Sequence, residues 1–284
     1  MSKMSMATTR VVYVVATPLG HLQDLTPRAR EVLSTVDVIC AEDTRALMKL
    51  LQLTGIRAAG MIKSYHQHNE KAVCAWLKES SWTSLALVSD AGTPNIHDPG
   101  QMLMRQAWRE GWQLVPVPGA CALSAALSVC DMPTNPMLFV GFLPAKASQR
   151  RAALSDLRDQ KALMAFYESP HRIQDFFKDA ADILGDRTVW VAREMTKKHE
   201  QIIRASASEV CALIDCGQLP ARGEFVVLIE GGSSQSSRQD QWQHAVKDLS
   251  MHLTDRQVIH YAQTHLGVRK NEVYRYLKSL HDVK

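Results

Sequence analysis

The stretch Val88–Gly100, VSDAGTPNIHDPG, ends an apolar run and sets Asp90 and Asp98 among two glycines and two prolines. LALVSD reads as a buried strand, so Asp90 and Gly92 fall just past its carboxyl end, where open parallel sheets bind ligands. The stretch has neither the Gly-Lys-Ser/Thr of a triphosphate loop nor the GxGxxG of a dinucleotide fold. Gly92 and Gly100 allow close main-chain approach, Pro94 and Pro99 stiffen the path, and Asp90 adds an acceptor. Such a loop suits a ligand held through backbone atoms. A plain strand-to-helix turn, in which Asp98-Pro99 caps the next helix, is the competing reading.

Other segments reach the same edge of the inferred sheets: ATPLGHLQDLTPRA at 16–29, AEDTR at 41–45 and PVPGACALSAA at 116–126, then FYESPHR at 166–172, AREMTKKHE at 192–200 and RGEF at 222–225. They supply the groups that could move a proton or hold a charge: Glu42, Asp43 and Arg45, Glu168, Glu194 and Lys197, with Glu224 beside them. Nothing in their spacing singles out a base. His171 and His199 read as hydrogen-bonding or surface residues. Glu168, ending a buried strand, needs a partner to stay ionised, and Arg172 or Arg193 could provide it. No His, Cys and carboxylate spacing suits a metal.

Short β-branched runs (VVYVVAT, VDVICA, MIKSY, LALVS, QLVPVP) alternate with helical patterns from residue 11 to about 130. That rhythm argues for a parallel sheet covered by helices on both faces. Thr26-Pro27, Thr44, Asn69 and Asp98-Pro99 read as helix starts, and Gly111 as a helix end. Two prolines in DMPTNP at 131–136 break the pattern. A second α/β unit follows, with consecutive strands near its end that favour a mixed sheet. The linker GGSSQSSRQDQ at 231–241 then leads to two helices joined at Gly267-Val268. The expected division is therefore 1–131, 132–232 and 233–284.

The 284 residues, 46% of them hydrophobic, can bury a sizeable core. No apolar run approaches the roughly 18–20 residues of a membrane span, and MSKMSMATTR lacks the apolar region of a secretory leader. Six scattered cysteines read as free thiols of a cytoplasmic protein. A net charge of +4 is compatible with a polyanionic partner without demanding one.

TPLGHLQDLT, AEDTR, SDAGTPNIHDPG, PGACA, GFLPAK, YESPHR, AREMTKKHE and RGEFVVLIEG, in this order over about residues 11 to 232, resemble the ribosomal RNA small subunit methyltransferase I family of the tetrapyrrole methylase superfamily. The resemblance implies two α/β domains of the tetrapyrrole methylase type, a parallel-sheet N-domain and a mixed-sheet second domain, with a small helical C-terminal tail. It implies S-adenosylmethionine in the cleft between them, a homodimer, and 2′-O-methylation of a cytidine ribose in the 16S rRNA decoding centre. Carried over by motif, the cofactor residues are Pro18, Leu19, Asp90, Ala91, Gly92, Thr93 and Ile96, then Ala120, Cys121 and Ala122, and across the cleft Tyr167, Ala192 and Gly223. His21, Asn95 and Ala120-Cys121 depart from the residues usual in the family. Thr17-Pro18-Leu19-Gly20 replaces the wider superfamily's GPG-type turn and points to the RNA branch.

Methyl transfer is an in-line displacement that depends mainly on alignment, and a ribose hydroxyl needs an acceptor or a nearby cation to become a nucleophile. Lys146, Arg150 and Arg151, which have no acidic neighbour before Asp156, together with Lys197-Lys198 and Arg269-Lys270, form the expected RNA rim. Solvated helix faces are the bland alternative. A corrin or porphyrin-precursor methylase and a non-catalytic RNA-binding protein remain competing functions; AEDTR and the basic 146–151 segment disfavour the first, and the cleft motifs disfavour the second.

Overall fold

The computed structural model describes residues 9–78, 81–232, 242–243 and 245–281. Residues 1–8 and the expected linker from 233 onward lie outside the described residues. Five strands, β1 (Val11–Val15), β2 (Val38–Ala41), β3 (Met61–Ser64), β4 (Ser84–Val88) and β5 (Gln113–Val117), form a parallel sheet in the order β3-β2-β4-β1-β5. Alternate residues of these strands face opposite helical layers. Val15, Ile39, Ala86 and Val88 meet α1 (Pro27–Thr35) and α2 (Thr44–Thr54). Val12, Val38, Leu85 and Leu87 meet α3 (Glu70–Lys78) and α4 (Gln101–Arg109). From β1 the chain leaves toward β2, and from the adjacent β4 it leaves the other way toward β5. The crevice opened by this divergence lies between β1 and β4.

Capping follows the sequence at α1, where Thr26 Oγ1 accepts the Ala29 N–H at 3.1 Å and Pro27 opens the helix. At α2 the cap is Asp43 and not Thr44, which is already helical. At α4 the expectation fails: Gly100 holds the cap position and no side chain caps it. Asp98 therefore does not cap the helix, because the chain turns once more before the helix begins.

The second sheet joins β6 (Met137–Gly141), β7 (Leu163–Glu168), β8 (Thr188–Arg193), β9 (Gln201–Ser206) and β10 (Phe225–Ile229) in the order β6-β7-β10-β8-β9. Only β6 and β7 run parallel; the other pairs are antiparallel. One face packs on α6 (Ala147–Asp156), α7 (Ile173–Leu184) and α8 (Ala207–Asp215) through Leu154, Phe176, Phe177 and Val210. The other face packs on α5 (Ala122–Ser128), whose Ala126 sits against Ala165, Val226 and Leu228. Helix α5 precedes the 131/132 boundary expected from the prolines, yet its apolar side belongs to the second sheet.

Two cations expected on the RNA rim are committed to this packing. Arg150 is 4% exposed, with its Nε 2.7 Å from Asp179 Oδ2. Arg151 pairs with Asp179 Oδ1 at 2.7 Å and with Asp182. Expectation and structure part here because the neutralising carboxylates lie on α7, some 28 residues away in the chain. After the second sheet, helical backbone over 245–250, α9 (Asp255–His265) and α10 (Lys270–His281) close a separate small core on Trp242, Val246, Val258 and Val273. No helix among the described residues is long and apolar enough to cross a membrane.

Removing one partner of the buried pair leaves the other charge uncompensated. Asp179→Ala is expected to cost about 3–5 kcal/mol of stability, measured by urea unfolding, with no change in what the cleft binds.

Candidate functional site

Five loops leave the carboxyl edge of the parallel sheet, and the loop after β4 is bonded to those after β1, β5 and β2. Thr17 and Gly92 exchange main-chain hydrogen bonds, Thr17 N to Gly92 O at 2.9 Å and Gly92 N to Thr17 O at 3.0 Å, across the β1/β4 crevice. Thr93 Oγ1 donates to Ala120 O at 3.0 Å, tying in the loop after β5. Asp90 Oδ1 accepts the Asp43 N–H at 3.0 Å, tying in the loop after β2. Gly92 has φ +82°, a left-handed conformation that its bridge with Thr17 requires and that a side chain would strain. Asn95 takes φ 67°, a left-handed conformation that Asn tolerates better than an aliphatic side chain would.

The second sheet supplies the facing wall. Phe142 N–H donates to His97 Nε2 at 3.0 Å, so that ring nitrogen is an acceptor. The His97 ring also lies edge-on to Phe142, with ring centroids 4.7 Å apart. On the other side of the cleft, His21 N–H donates to Thr196 Oγ1 at 3.2 Å. Thr196 and Glu194 both adopt positive φ, held by Lys197 Nζ, which bridges Glu194 Oε1 at 2.8 Å and Glu224 Oε2 at 3.0 Å. Backbone strain of this kind persists only where its surroundings enforce it.

Between these contacts lies a cavity of about 250 Å³. Leu19, Ala91, Gly92, Thr93 and Ile96 line it from the first domain, and Cys121 and Ala122 from the start of α5. Tyr167, Phe142, Met195 and Val226 line it from the second. Apolar walls with main-chain polar groups at one end suit a flat heterocycle with a polar extension.

The carboxylates divide by environment. Asp43 is bound by the Arg45 guanidinium and the Arg45 N–H, which hold its carboxyl at about 2. It is a helix cap and not a proton acceptor. Glu194 is held below its usual range, despite some burial, by Lys197 and the Glu224 N–H, while the two carboxylates hold the Lys197 ammonium up. These groups lock a loop in place. Glu168 lies on the face of β7 that Met164 and Phe166 present to the α6/α7 layer, opposite Tyr167. Its Oε1 accepts the Ser169 N–H at 2.8 Å and faces Arg172 Nε at 3.4 Å, and burial raises its pKa. Arg172 is thus its partner. Arg193 is taken up by Arg222 O, His199 O and Gln201.

Glu42 and Asp98 differ from all of these. Asp98 lines the cavity, and burial raises its pKa. Glu42 follows Ala41, which pairs with Val88, so it stands level with Ser89 on the β2 side of β4, within the field of the cavity-lining Asp98. Burial first, then the nearby Asp98 and Asp90 charges, push Glu42 up to about 7. No cation is bonded to it among the described residues.

Of the residues expected to hold the cofactor, Pro18, Asp90 and Ala120 flank the cavity within the bonded loops. Ala192 is buried in the core shared with α5. Gly223 packs on Glu194, whose side chain fills the space its Cβ would take. His97, Asp98, Phe142, Met195, Glu224, Phe225 and Val226 also line the cavity and lie outside the expected cofactor set, as does the turn Glu168–Pro170, whose Glu168 was expected as a catalytic group. Asp98 carries a sequence signal, but one that equally suits a helix cap; nothing in the sequence marks Phe142 and Met195 apart from core residues. Lys146, Lys198, Arg269 and Lys270 are exposed.

The sequence matches the family model described as Tetrapyrrole (Corrin/Porphyrin) Methylases over residues 11–211. It is 38% identical over 272 residues to the Ribosomal RNA small subunit methyltransferase I of Halalkalibacterium halodurans, covering 93% of each chain. The protein of the same name from Bacillus subtilis is 37% identical over 276 residues, covering 93% of this chain and 92% of that one. Among solved structures, the methyltransferase CobJ superposes with a TM-score of 0.57 at 16% identity, over 79% of this chain and 95% of that one. A uroporphyrin-III C-methyl transferase from Thermus thermophilus, complexed with S-adenosyl homocysteine, superposes with a TM-score of 0.52 at 14% identity, over 78% and 97%. At such identities these structures speak to the fold.

A Cβ on Gly141, which has φ +73°, would stand 2.5 Å from the His97 ring. Gly141→Ala is therefore expected to cost about 1–3 kcal/mol, and less in a His97→Ala background, where only the backbone strain remains. Thermal unfolding of the wild type, the two single variants and the double variant measures the coupling.

Proposed function

The chain belongs to the ribosomal RNA small subunit methyltransferase I family, a branch of the tetrapyrrole methylases, and we propose that it methylates the 2′-oxygen of a cytidine ribose in the decoding centre of 16S rRNA. Its methyl donor is S-adenosylmethionine. The observation that carries the reading is the interdomain cleft, apolar on its walls and rich in main-chain polar groups at the β1/β4 crevice. The fit to the donor rests on this chain's own residues. Leu19, Ile96, Tyr167 and Val226 would enclose the adenine, and the Ala91–Thr93 and Cys121–Ala122 backbones would meet its polar edges. The field of Asp98, Asp90 and Glu42 suits a cationic sulfonium.

When bound, S-adenosylmethionine supplies an electrophilic methyl group. The work left to the protein is to orient the ribose oxygen and to receive its proton. Glu42 receives that proton: its charge interacts with that of the cavity-lining Asp98, it has no cation partner among the described residues, and it titrates near neutrality, where a general base is most effective. Asp98, one wall of the cavity, keeps Glu42 from ionising too readily, and the Thr17–Gly92 pairing fixes both loops while the proton moves. A homodimer belongs to the same proposal and is measurable by sedimentation. The corrin and porphyrin methylases share the fold at 13–17% identity, whereas relatives near 38% carry the ribosomal RNA name, which favours RNA as the substrate class.

Labelled S-adenosylmethionine, incubated with the protein and small ribosomal subunits from cells lacking it, is expected to mark one cytidine. The linkage 3′ to that cytidine is expected to resist alkaline cleavage, as a blocked 2′-oxygen requires. Label on a base removes the 2′-O assignment, and absence of label in RNA while the donor is bound removes the RNA reading.

The rate is expected to rise with pH through about 7 and then level off, because only the ionised Glu42 accepts a proton. Glu42→Gln should lower kcat by roughly 10²–10⁴-fold and abolish that limb, and Asp98→Asn should move it to lower pH by removing a like charge. A wild-type limb in Glu42→Gln would assign the base elsewhere.

A further inference from the structure

Helix α4 begins at Gln101, three residues after the cavity-lining Asp98, so its first turn adjoins the mouth of the cleft. Leu103 and Ala107 bury its inner side. Its outer arc carries Met102, Arg105, Trp108 and Arg109, all exposed, because residues three, four and seven apart line one helix face. Trp108 is 74% exposed, although large aromatic side chains are on average highly buried. Neither Arg105 nor Arg109 has an ion-pair partner among the described residues. The neighbouring Glu110 is engaged by Gln106 Nε2 at 2.9 Å. From Met102 to Arg109 the face runs about 10 Å along the helix.

An exposed indole beside two unanswered guanidinium groups matches the needs of single-stranded nucleic acid: a π-face for a base and fixed cations for the phosphates next to it. A second copy of the chain or another protein could also cover Trp108, but it would have to bring carboxylates to the two arginines. The contrast with Arg150 and Arg151 is direct, since those guanidinium groups are already neutralised by Asp179 and Asp182.

We infer that the outer face of α4 is a track for single-stranded RNA leaving the cleft, on which Trp108 stacks against a base flanking the target nucleotide while Arg105 and Arg109 hold its phosphates. The inference rests on the RNA reading above and places the substrate strand on the α3/α4 side of the first domain.

The test titrates wild type, Trp108→Ala, Trp108→Phe and Arg105→Gln/Arg109→Gln against a fluorescein-labelled single-stranded RNA oligonucleotide centred on the methylated cytidine. Calorimetric binding of S-adenosyl homocysteine runs in parallel as a check that each cleft is intact. Trp108→Ala is expected to lose RNA affinity by roughly 5- to 150-fold, the size of one lost base stack, and Trp108→Phe to recover most of it. The arginine pair is expected to lower the slope of log affinity against log salt by about 1.4, two single-strand phosphate contacts. Wild-type affinity and slope in these variants, with intact clefts, would overturn the inference while leaving the RNA reading in place. Variants that dissociate the protein in sedimentation and leave RNA binding untouched would overturn it equally, and would make the face an interface between copies. A wild-type protein that holds S-adenosyl homocysteine but neither binds nor methylates RNA overturns the RNA reading itself, and the track with it.

Discussion

Thr17 and Gly92 face each other at the point where the chain departs from two adjacent parallel strands in opposite directions. Parallel strands that diverge in this way leave an open crevice with unpaired main-chain groups on both lips. The reciprocal hydrogen bonds between these two residues stitch the base of that crevice. They require a residue at 92 that accepts φ +82°, and they set the height at which Ala91, Thr93 and Ile96 meet the cavity. The Asp90–Asp43 and Thr93–Ala120 bonds extend the same stitch to the loops on either side. A loop whose composition suits backbone contact with a ligand is thus also the element that holds its three neighbours in place.

Polar contacts and α5 together register the second domain on this floor. His97 accepts from Phe142, and His21 donates to Thr196. Helix α5 adds the apolar part, since it leaves the first sheet through Cys121 and buries Ala126 under the second. Hydrogen bonds at a junction are directional and individually modest in worth. Such a junction fixes geometry at low cost in stability, which suits a site whose chemistry depends on alignment.

Electrostatics sort the carboxylates into jobs that residue type cannot distinguish. Glu42 and Asp43 are neighbours in the chain, yet burial and like charges raise one to about 7 and a guanidinium holds the other at about 2. The same holds for cations. Arg150-Arg151 and Arg105/Arg109 are equally basic in sequence, but α7 neutralises the first pair and, among the described residues, the second has no ion-pair partner.

The sequence by itself determined what depends on neighbours along the chain. β-branched runs and their turns specified two α/β units, Thr26-Pro27 specified the start of α1, and the ordered motifs from TPLG to RGEF specified the family. Strand-end placement also identified most of one cavity wall, because position past a parallel strand is a local property. Tertiary structure alone decided the rest. It turned Asp98 from a cap into a lining residue, sent the Glu168 carboxylate to the face away from Tyr167, seated α5 on the second sheet and separated Glu42 from the paired acids. Each of these depends on distance and burial between residues far apart in the chain, and Coulomb energy and desolvation respond to those through-space quantities and not to sequence separation.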